Sequence, residues 1–286
     1  MTQPINRSRH VWKYEEINAG GEMLRELFKQ RNIKISEHSA LSKLLDQAAR
    51  LSQEWQSRSS ANHTRMLVDS GHANRIIQAV IDAASDPGSL ECMKRIANKD
   101  VDLSQRATSQ GKDALWELEF LAMLKSKGVK AHLSEPDIVA NFLFDDCSFA
   151  CKKIYSDEGR AVESQVRAGA KQIKRSGRPG IVALNIDDLV PADVLVKAKT
   201  THAAMDALAN LVRSFIDRHQ MKVQRFVKDG KIDGILISVT VPSDIEMSSP
   251  NFNQLVQMTL WSLETASIDA RARIGQMRIA FKDIIT

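Results

Sequence analysis

The sequence predicts a mixed α/β domain preceded by a helical module, and three observations support this fold class. Before about residue 111, apolar residues recur at helical spacing and no run resembles a strand. After it, short apolar runs typical of buried strands begin. These runs alternate with helical segments, as expected for helices on a mixed sheet. We therefore place a helical N-terminal module at residues 1–108 and an α/β domain at residues 109–286.

Composition supports a folded globular protein. The chain has 286 residues, of which 43% are apolar and 26% are charged, which excludes a mainly disordered protein. Its longest apolar runs are far shorter than the ~20 residues of a membrane span, and residues 1–7 contain no signal-like apolar region. Cys92, Cys147 and Cys151 form no disulfide framework or Cys-x-x-Cys pair. We therefore expect a cytoplasmic protein without membrane contact.

The module is predicted to contain four helices, at residues 19–28, 36–55, 72–84 and 89–97. Pro87-Gly88 separates the last two. No helix-turn-helix signature is present. Its role therefore stays open between DNA binding, self-association and docking of a protein partner.

The α/β domain is predicted to open with a helix at residues 113–127 that is apolar on nearly all sides and ends at Gly128. The remaining predicted elements are strands at 129–133, 138–144 and 147–154, a helix at 157–175, a strand at 181–186, a helix at 201–227 and strands at 232–242 and 255–263. We expect Asp145-Asp146 to form a two-residue hairpin turn. Lys152 then lies opposite Val139 and shares a sheet face with Asp137, while Cys151 points into the core.

Three charged residues in this region suit metal-assisted phosphodiester hydrolysis. Glu117 lies on the apolar helix, Asp137 begins one strand, and Lys152 lies in the next. A carboxylate can hold Mg²⁺ or Mn²⁺ with few other protein ligands, and a neighbouring lysine offsets developing charge.

Residues 111–188 resemble the PD-(D/E)XK nuclease superfamily. The resemblance rests on Trp116-Glu117-Leu118-Glu119, Glu135-Pro136-Asp137-Ile138, Ala150-Cys151-Lys152-Lys153 and the glutamine-bearing helix that follows. It implies a restriction-endonuclease-like mixed sheet flanked by helices. It further implies that Asp137 binds the metal, that Lys152 is catalytic and that Glu117 assists. The second acid of the family motif falls on Ala150, which cannot bind a metal.

The alanine at position 150 leaves three interpretations open. The missing acid has moved, with Glu163 as the first candidate and Glu119 and Glu135 behind it. Alternatively, Asp137, Glu117 and the Cys151 carbonyl suffice as metal ligands. In the third interpretation the site is inactive, and the fold serves binding or assembly.

A basic stripe follows the third strand. The segment from Cys147 to Arg178 holds eight Lys+Arg and three Asp+Glu. Its nucleic-acid-binding candidates are Arg160, Arg167, Lys171, Lys174, Arg178 and, on the flank, Gln165. We expect this stripe to lie beside the candidate site, where the phosphate backbone of DNA would run.

The sequence thus predicts a metal-dependent endonuclease acting on DNA, with Mg²⁺ or Mn²⁺ as cofactor. Fold analogy places it in antiviral defence or repair. The alternative is a catalytically inactive nuclease fold that binds nucleic acid or serves assembly. A third hypothesis is a helical interaction protein, and a protein partner or a second copy could dock on the N-terminal helices.

Overall fold

The computed structural model describes residues 3–8, 14–57, 63–142, 145–192, 194–249 and 252–282. Within these ranges the chain forms eight α-helices and one mixed sheet of eight strands. The predicted mixed α/β class is therefore confirmed. None of the helices in these ranges is both long enough and apolar enough to cross a membrane.

The four predicted helices of the module are present with different bounds. They are α1 (Tyr14–Gln30), α2 (Ala40–Ser57), α3 (His63–Ala83) and α4 (Ser89–Asn98). Helix α3 begins nine residues before the predicted start. Its first turns pack on a distant strand, where Gln254 Nε2 donates to the Gly71 carbonyl at 2.6 Å. Such a contact is invisible to local periodicity.

One strand precedes these helices, so the prediction of a wholly helical first part is wrong. Strand β1 (Gln3–Ser8) pairs antiparallel with Leu255–Leu260 near the other end of the chain. The backbone groups of β1 are hydrogen-bonded to this distant strand, and the local sequence around β1 gives no sign of it.

The α/β part contains the predicted elements and two that were not predicted. In chain order they are α5 (Gln110–Ser126), β2 (Lys130–Ser134), β3 (Asp137–Phe142), β4 (Asp145–Lys153), α6 (Gly159–Ser176), β5 (Gly180–Asn185), β6 (Val196–Ala198), α7 (Thr201–Lys228), β7 (Gly234–Ile245), β8 (Phe252–Trp261) and α8 (Ile268–Lys282). The unpredicted elements are β6, which is very short, and α8, whose apolar residues do not form one continuous stripe.

The sheet has the strand order β1-β8-β7-β5-β4-β3-β2, with β6 beside β7. The central strands β4, β5 and β7 run parallel, and the pairs β2–β3, β3–β4, β7–β8 and β8–β1 are antiparallel. The carboxyl ends of the three parallel strands therefore meet at one edge of the sheet, and their amino ends meet at the other.

The predicted hairpin turn at Asp145-Asp146 is wrong. Both residues belong to β4, where they pair with Phe142 and Asn141. Val139 consequently lies opposite Ser148 instead of Lys152, a shift of four residues. Because side chains alternate with a period of two, a shift of four leaves every side chain on its predicted face. Residues 143 and 144, the end of a predicted strand, lie outside the described residues.

Two apolar clusters cover the two faces of the sheet. One joins α1–α5 and α8 to the sheet, with Leu24, Ile76, Phe120 and Phe149 among its buried members. The other lies beneath α6 and α7. The first cluster crosses the predicted boundary at 108/109, so the helical module and the α/β part share a hydrophobic core.

Candidate functional site

Helix α5 is anchored at both its start and its middle. Its N-cap Ser109 accepts a hydrogen bond from the Gly111 amide at 3.1 Å, which satisfies one of the free donors of the first turn. Trp116 Nε1 donates to the Ala183 carbonyl of β5 at 3.1 Å. These contacts fix the rotation of the helix and therefore the directions in which its two glutamates point.

Glu117 points toward α4 of the helical module. Both its carboxylate oxygens accept hydrogen bonds from Arg95, Oε1 from Nη1 at 3.0 Å and Oε2 from Nη2 at 2.6 Å. The Cys92 thiol also donates to Oε2, at 3.2 Å. This bidentate contact is the strong form of an arginine–carboxylate pair.

Asp137 and Lys152 meet at the carboxyl end of β4, as the sequence predicts. The Lys152 Nζ lies 3.2 Å from Asp137 Oδ2, and the Cys151 amide donates to the same oxygen at 2.7 Å. Lys152 Nζ also donates to the Cys151 carbonyl at 2.7 Å. The Cys151 side chain lies in the core, also as predicted.

The environment of Asp137 disfavours its charged form. Burial raises its pKa, Lys152 lowers it, and the nearby charge of Glu117 raises it further, to a value of about 7. The Asp137 carboxyl therefore titrates near neutral pH.

Position 150, where the family motif has its second acid, is closed by helix α6. Ala150 is fully buried. A Cβ atom added at Gly169 of α6 would lie 3.3 Å from the Ala150 Cβ and 2.8 Å from Val182 Cγ2. A carboxylate at position 150 would have no room beneath the helix.

The ion pairs of Glu163 and Glu119, two of the three acids that could replace the one missing at position 150, lead away from Asp137. Glu163 contacts Arg167 on its own helix and Arg225 on α7. Glu135 is exposed. Glu119, which the helical angle separates from Glu117, contacts Arg75 instead. The structure therefore gives no support to the interpretation that the second acid of the motif has moved from position 150 to another residue.

A divalent cation does not fit this arrangement. Asp137 and the Cys151 carbonyl are both bonded to Lys152, and Glu117 is held by Arg95. Among the described residues, no group of three or more His, Cys, Asp or Glu side chains is placed to hold a metal ion. Resident ammonium and guanidinium groups therefore occupy the oxygens that the resemblance assigns to Mg²⁺.

A larger network of buried charges lies beside this site and was not predicted. Arg75 of α3 donates to Glu119 Oε1 at 2.5 Å and to Oε2 at 2.7 Å, and it also contacts Asp187. The Thr240 amide donates to Asp187 Oδ1 at 2.7 Å. Burial opposes ionisation of Asp187, but Arg75 and Lys153 outweigh it and hold the pKa of this carboxyl below its ordinary value.

The same network continues through a second aspartate. Lys112 and Lys153 each lie 2.8 Å from Asp188, and Lys153 Nζ donates to Asn185 Oδ1 at 2.6 Å. One signal could have revealed this cluster: Asn185 ends a buried strand and Asp187 and Asp188 follow it, and side chains gather at the carboxyl ends of parallel strands. With every carboxylate paired, the network joins the helical module to the sheet.

An open basic groove of about 870 Å³ lies at the opposite edge of the sheet. Four predicted binding residues line it, namely Arg167, Lys171, Lys174 and Arg178. It gains three cations that were not predicted, namely Arg225, Lys231 and Arg273. Among the residues described, no carboxylate lies within ion-pair distance of Lys171, Lys174 or Arg178, so their charge is available to an anionic ligand.

The expectation that the whole stripe lies beside Asp137 is wrong. Helix α6 has 18 residues and is therefore about 27 Å long. It starts near the carboxyl end of β4, next to the candidate site, and leads to Gly180 at the amino end of β5. Arg160, in the first turn of α6, lies at the same edge of the sheet as Asp137, whereas the groove lies at the other end of the helix. Arg160 and Gln165 do not line the groove.

Comparison with protein-family models, with curated proteins and with solved structures gives no significant match.

Proposed function

We propose that the protein binds nucleic acid through the basic groove, on a nuclease-like core that does not hold a catalytic metal. The observation that carries this proposal is the groove itself, which seven cationic and two anionic side chains line. Asp229 and Asp233, the two anions, contact Lys231 and Arg273. A surface with this charge excess attracts the phosphates of a nucleic acid and releases their counterions.

Two further features support the nuclease-like part of the proposal. The order α5-β2-β3-β4-α6-β5, with β4 and β5 parallel, is compatible with the restriction-endonuclease-like core that the resemblance implies. The second is Ala150, because α6 packs so closely over it that a Cβ added at Gly169 would lie 3.3 Å from the Ala150 Cβ, which leaves the usual second acid without space. Defence, repair and a role for a second copy of the chain stay predictions.

A binding experiment tests the proposal. Labelled duplex DNA is titrated with protein at several salt concentrations, and anisotropy gives the affinity. We expect log affinity to fall linearly with log salt, with a slope of about −0.9 for each phosphate contacted. A variant carrying Lys171→Gln, Lys174→Gln and Arg178→Gln should bind more weakly and show a shallower slope.

The matched control removes three exposed cations from the helical module, with Lys43→Gln, Lys94→Gln and Lys99→Gln. The control has the same change in net charge and should keep nearly all the affinity. Equal losses in the two triple variants, or no binding by the wild type, would refute binding in the groove.

Phosphodiester hydrolysis is a second candidate function, because Asp137 and Lys152 meet as that hypothesis requires. Plasmid, linear duplex, single-stranded DNA and RNA are incubated with the protein in Mg²⁺, Mn²⁺ or EDTA. Under the binding proposal we expect no cutting. Metal-dependent cutting that is lost in both Asp137→Ala and Lys152→Ala, and kept in Lys130→Ala on exposed β2, would establish the nuclease instead.

A further inference from the structure

One carboxylate beside the basic groove holds two of the cations that line it. Arg167, one turn further along α6, and Arg225, on α7, both donate to the same oxygen of Glu163, Oε1. The two arginines line the groove, whereas Glu163 does not and instead joins the two helices next to it. Two guanidinium groups therefore share a single negative charge.

The two cations of this cluster are more exposed than its anion. The side chains of Arg167 and Arg225 are 54% and 50% exposed, and that of Glu163 is 20% exposed. Desolvation raises the pKa of Glu163, but the hydrogen bond from Arg167 and the charge of Arg225 outweigh it and hold that pKa below its ordinary value. Glu163 is therefore ionised at neutral pH, and each guanidinium keeps further N–H donors for a second anion.

Glu163 is the carboxylate whose loss would free the most groove cations. Asp229 and Asp233 contact one groove cation each, Lys231 and Arg273, and both aspartates line the groove themselves. Glu163 contacts two groove cations and lies outside the lining. Replacing it therefore frees two guanidinium groups without changing any residue that lines the groove.

We propose that Glu163 competes with the phosphates of the nucleic acid for Arg167 and Arg225, and that it thereby sets the affinity of the groove. This inference rests on the nucleic-acid binding proposed above and adds a residue that regulates it. Carboxylate and phosphate are both anions that accept paired hydrogen bonds from a guanidinium, so each arginine can bind either. While Glu163 holds both arginines, a phosphate must displace it or approach a pair whose charge is half neutralised.

The experiment measures the binding of labelled duplex DNA by anisotropy at several salt concentrations. Glu163→Gln keeps the shape of the side chain and removes its charge. We expect binding to tighten by about 3–10-fold at ~0.1 M salt, and the slope of log affinity against log salt to steepen by about 0.9, because one more phosphate is neutralised. Glu158→Gln is the matched control, because it removes the same charge from the exposed N-cap of α6 and should bind as the wild type does.

A second background identifies the cations that Glu163 occupies. Glu163→Gln is also introduced into a protein that carries Arg167→Gln and Arg225→Gln, where it should leave the affinity unchanged because the cations that it would free are absent. Three outcomes would overturn the proposal: unchanged or weaker binding in Glu163→Gln, an equal gain in Glu158→Gln, or a gain that survives in the second background. If Glu163→Gln lacks a native circular dichroism spectrum, Glu163→Met takes its place, and the same three outcomes apply to it.

The measurements separate failure of this inference from failure of the proposed function. If neither the wild type nor Glu163→Gln binds DNA, binding in the groove is refuted and the competition with it. If the wild type binds through Lys171, Lys174 and Arg178 and its affinity does not change in Glu163→Gln, only the competition is refuted.

Discussion

The two edges of the sheet use charged side chains in opposite ways. At the carboxyl ends of β4 and β5, Arg75 and Lys153 are buried and contact Asp187 and Asp188. At the amino ends of β5 and β7, exposed cations such as Lys174 line an open groove with few carboxylates. Burial in a low dielectric requires a partner for every charge, whereas an exposed cation keeps its hydration and its attraction for a ligand.

This difference shows that the number of charges in a segment does not reveal their role. The two lysines Lys152 and Lys153 are adjacent in sequence, yet one bonds to Asp137 and the other joins the network at Asp188. Neither faces the groove that the basic stripe builds. Substitutions of the buried charges at the carboxyl ends should therefore lower stability more than substitutions in the groove. Substitutions in the groove should lower nucleic-acid binding more.

The largest effect is expected for Arg75→Met. This substitution leaves Glu119 and Asp187 buried without their common cation, which should lower the free energy of unfolding by about 3–5 kcal/mol. Urea denaturation measures it. Arg65→Met on the same helix removes an arginine whose side chain is 86% exposed, and it should change stability by less than about 0.5 kcal/mol. Similar losses in the two variants would break the comparison between the edges.

Asp137 should make stability fall as pH rises. Its pKa is about 7 in the folded protein against an ordinary 3.8, so the folded state binds more protons between pH 4 and 7. The free energy of unfolding of the wild type, relative to Asp137→Asn, should therefore decrease across this window by up to about 4 kcal/mol and stay level above it. Denaturation at a series of pH values measures this difference. A difference that is constant or rises with pH would contradict the burial of this carboxyl.

Helix α6 connects the two edges, and its close approach to the sheet is expected to have an intermediate effect. In Gly169→Ala the new methyl group would meet the β-branched Val182 at 2.8 Å, an overpacking that should cost about 1–3 kcal/mol. Gly275→Ala on α8 meets no atom within 4 Å and should be neutral or stabilising by up to about 1 kcal/mol. Thermal unfolding of both variants provides the test. Equal stability would mean that Ala150 is not explained by helix packing.

The smallest effect on stability is expected in the groove. The Lys171, Lys174 and Arg178 triple glutamine variant removes exposed charges without described partners, so each should change the free energy of unfolding by less than about 0.5 kcal/mol. The same variant should lower the salt slope of DNA binding by up to about 0.9 per residue. A large loss of stability with an unchanged slope would assign these cations to structure instead of binding.

The local sequence predicted most of the helices and strands, and it predicted one contact, that between Asp137 and Lys152. Apolar spacing predicted the helices of the module and α5, α6 and α7, because helix formation depends on residues three and four positions apart. Alternation predicted that Asp137 and Lys152 share a face. This prediction was confirmed although the register was wrong, since a shift of an even number of residues preserves the face.

Only the tertiary structure decided which opposite charge each charged residue meets. Arg95 reaches Glu117 and Arg75 reaches Glu119 because α4 and α3 pack on different sides of α5, and no local spacing encodes that packing. Strand β1 and the groove cations Arg225 and Arg273 depend in the same way on segments far apart in the chain. Periodicity specifies which face of its helix or strand a side chain lies on. Which residue that side chain then contacts depends on how the elements of the whole chain pack together.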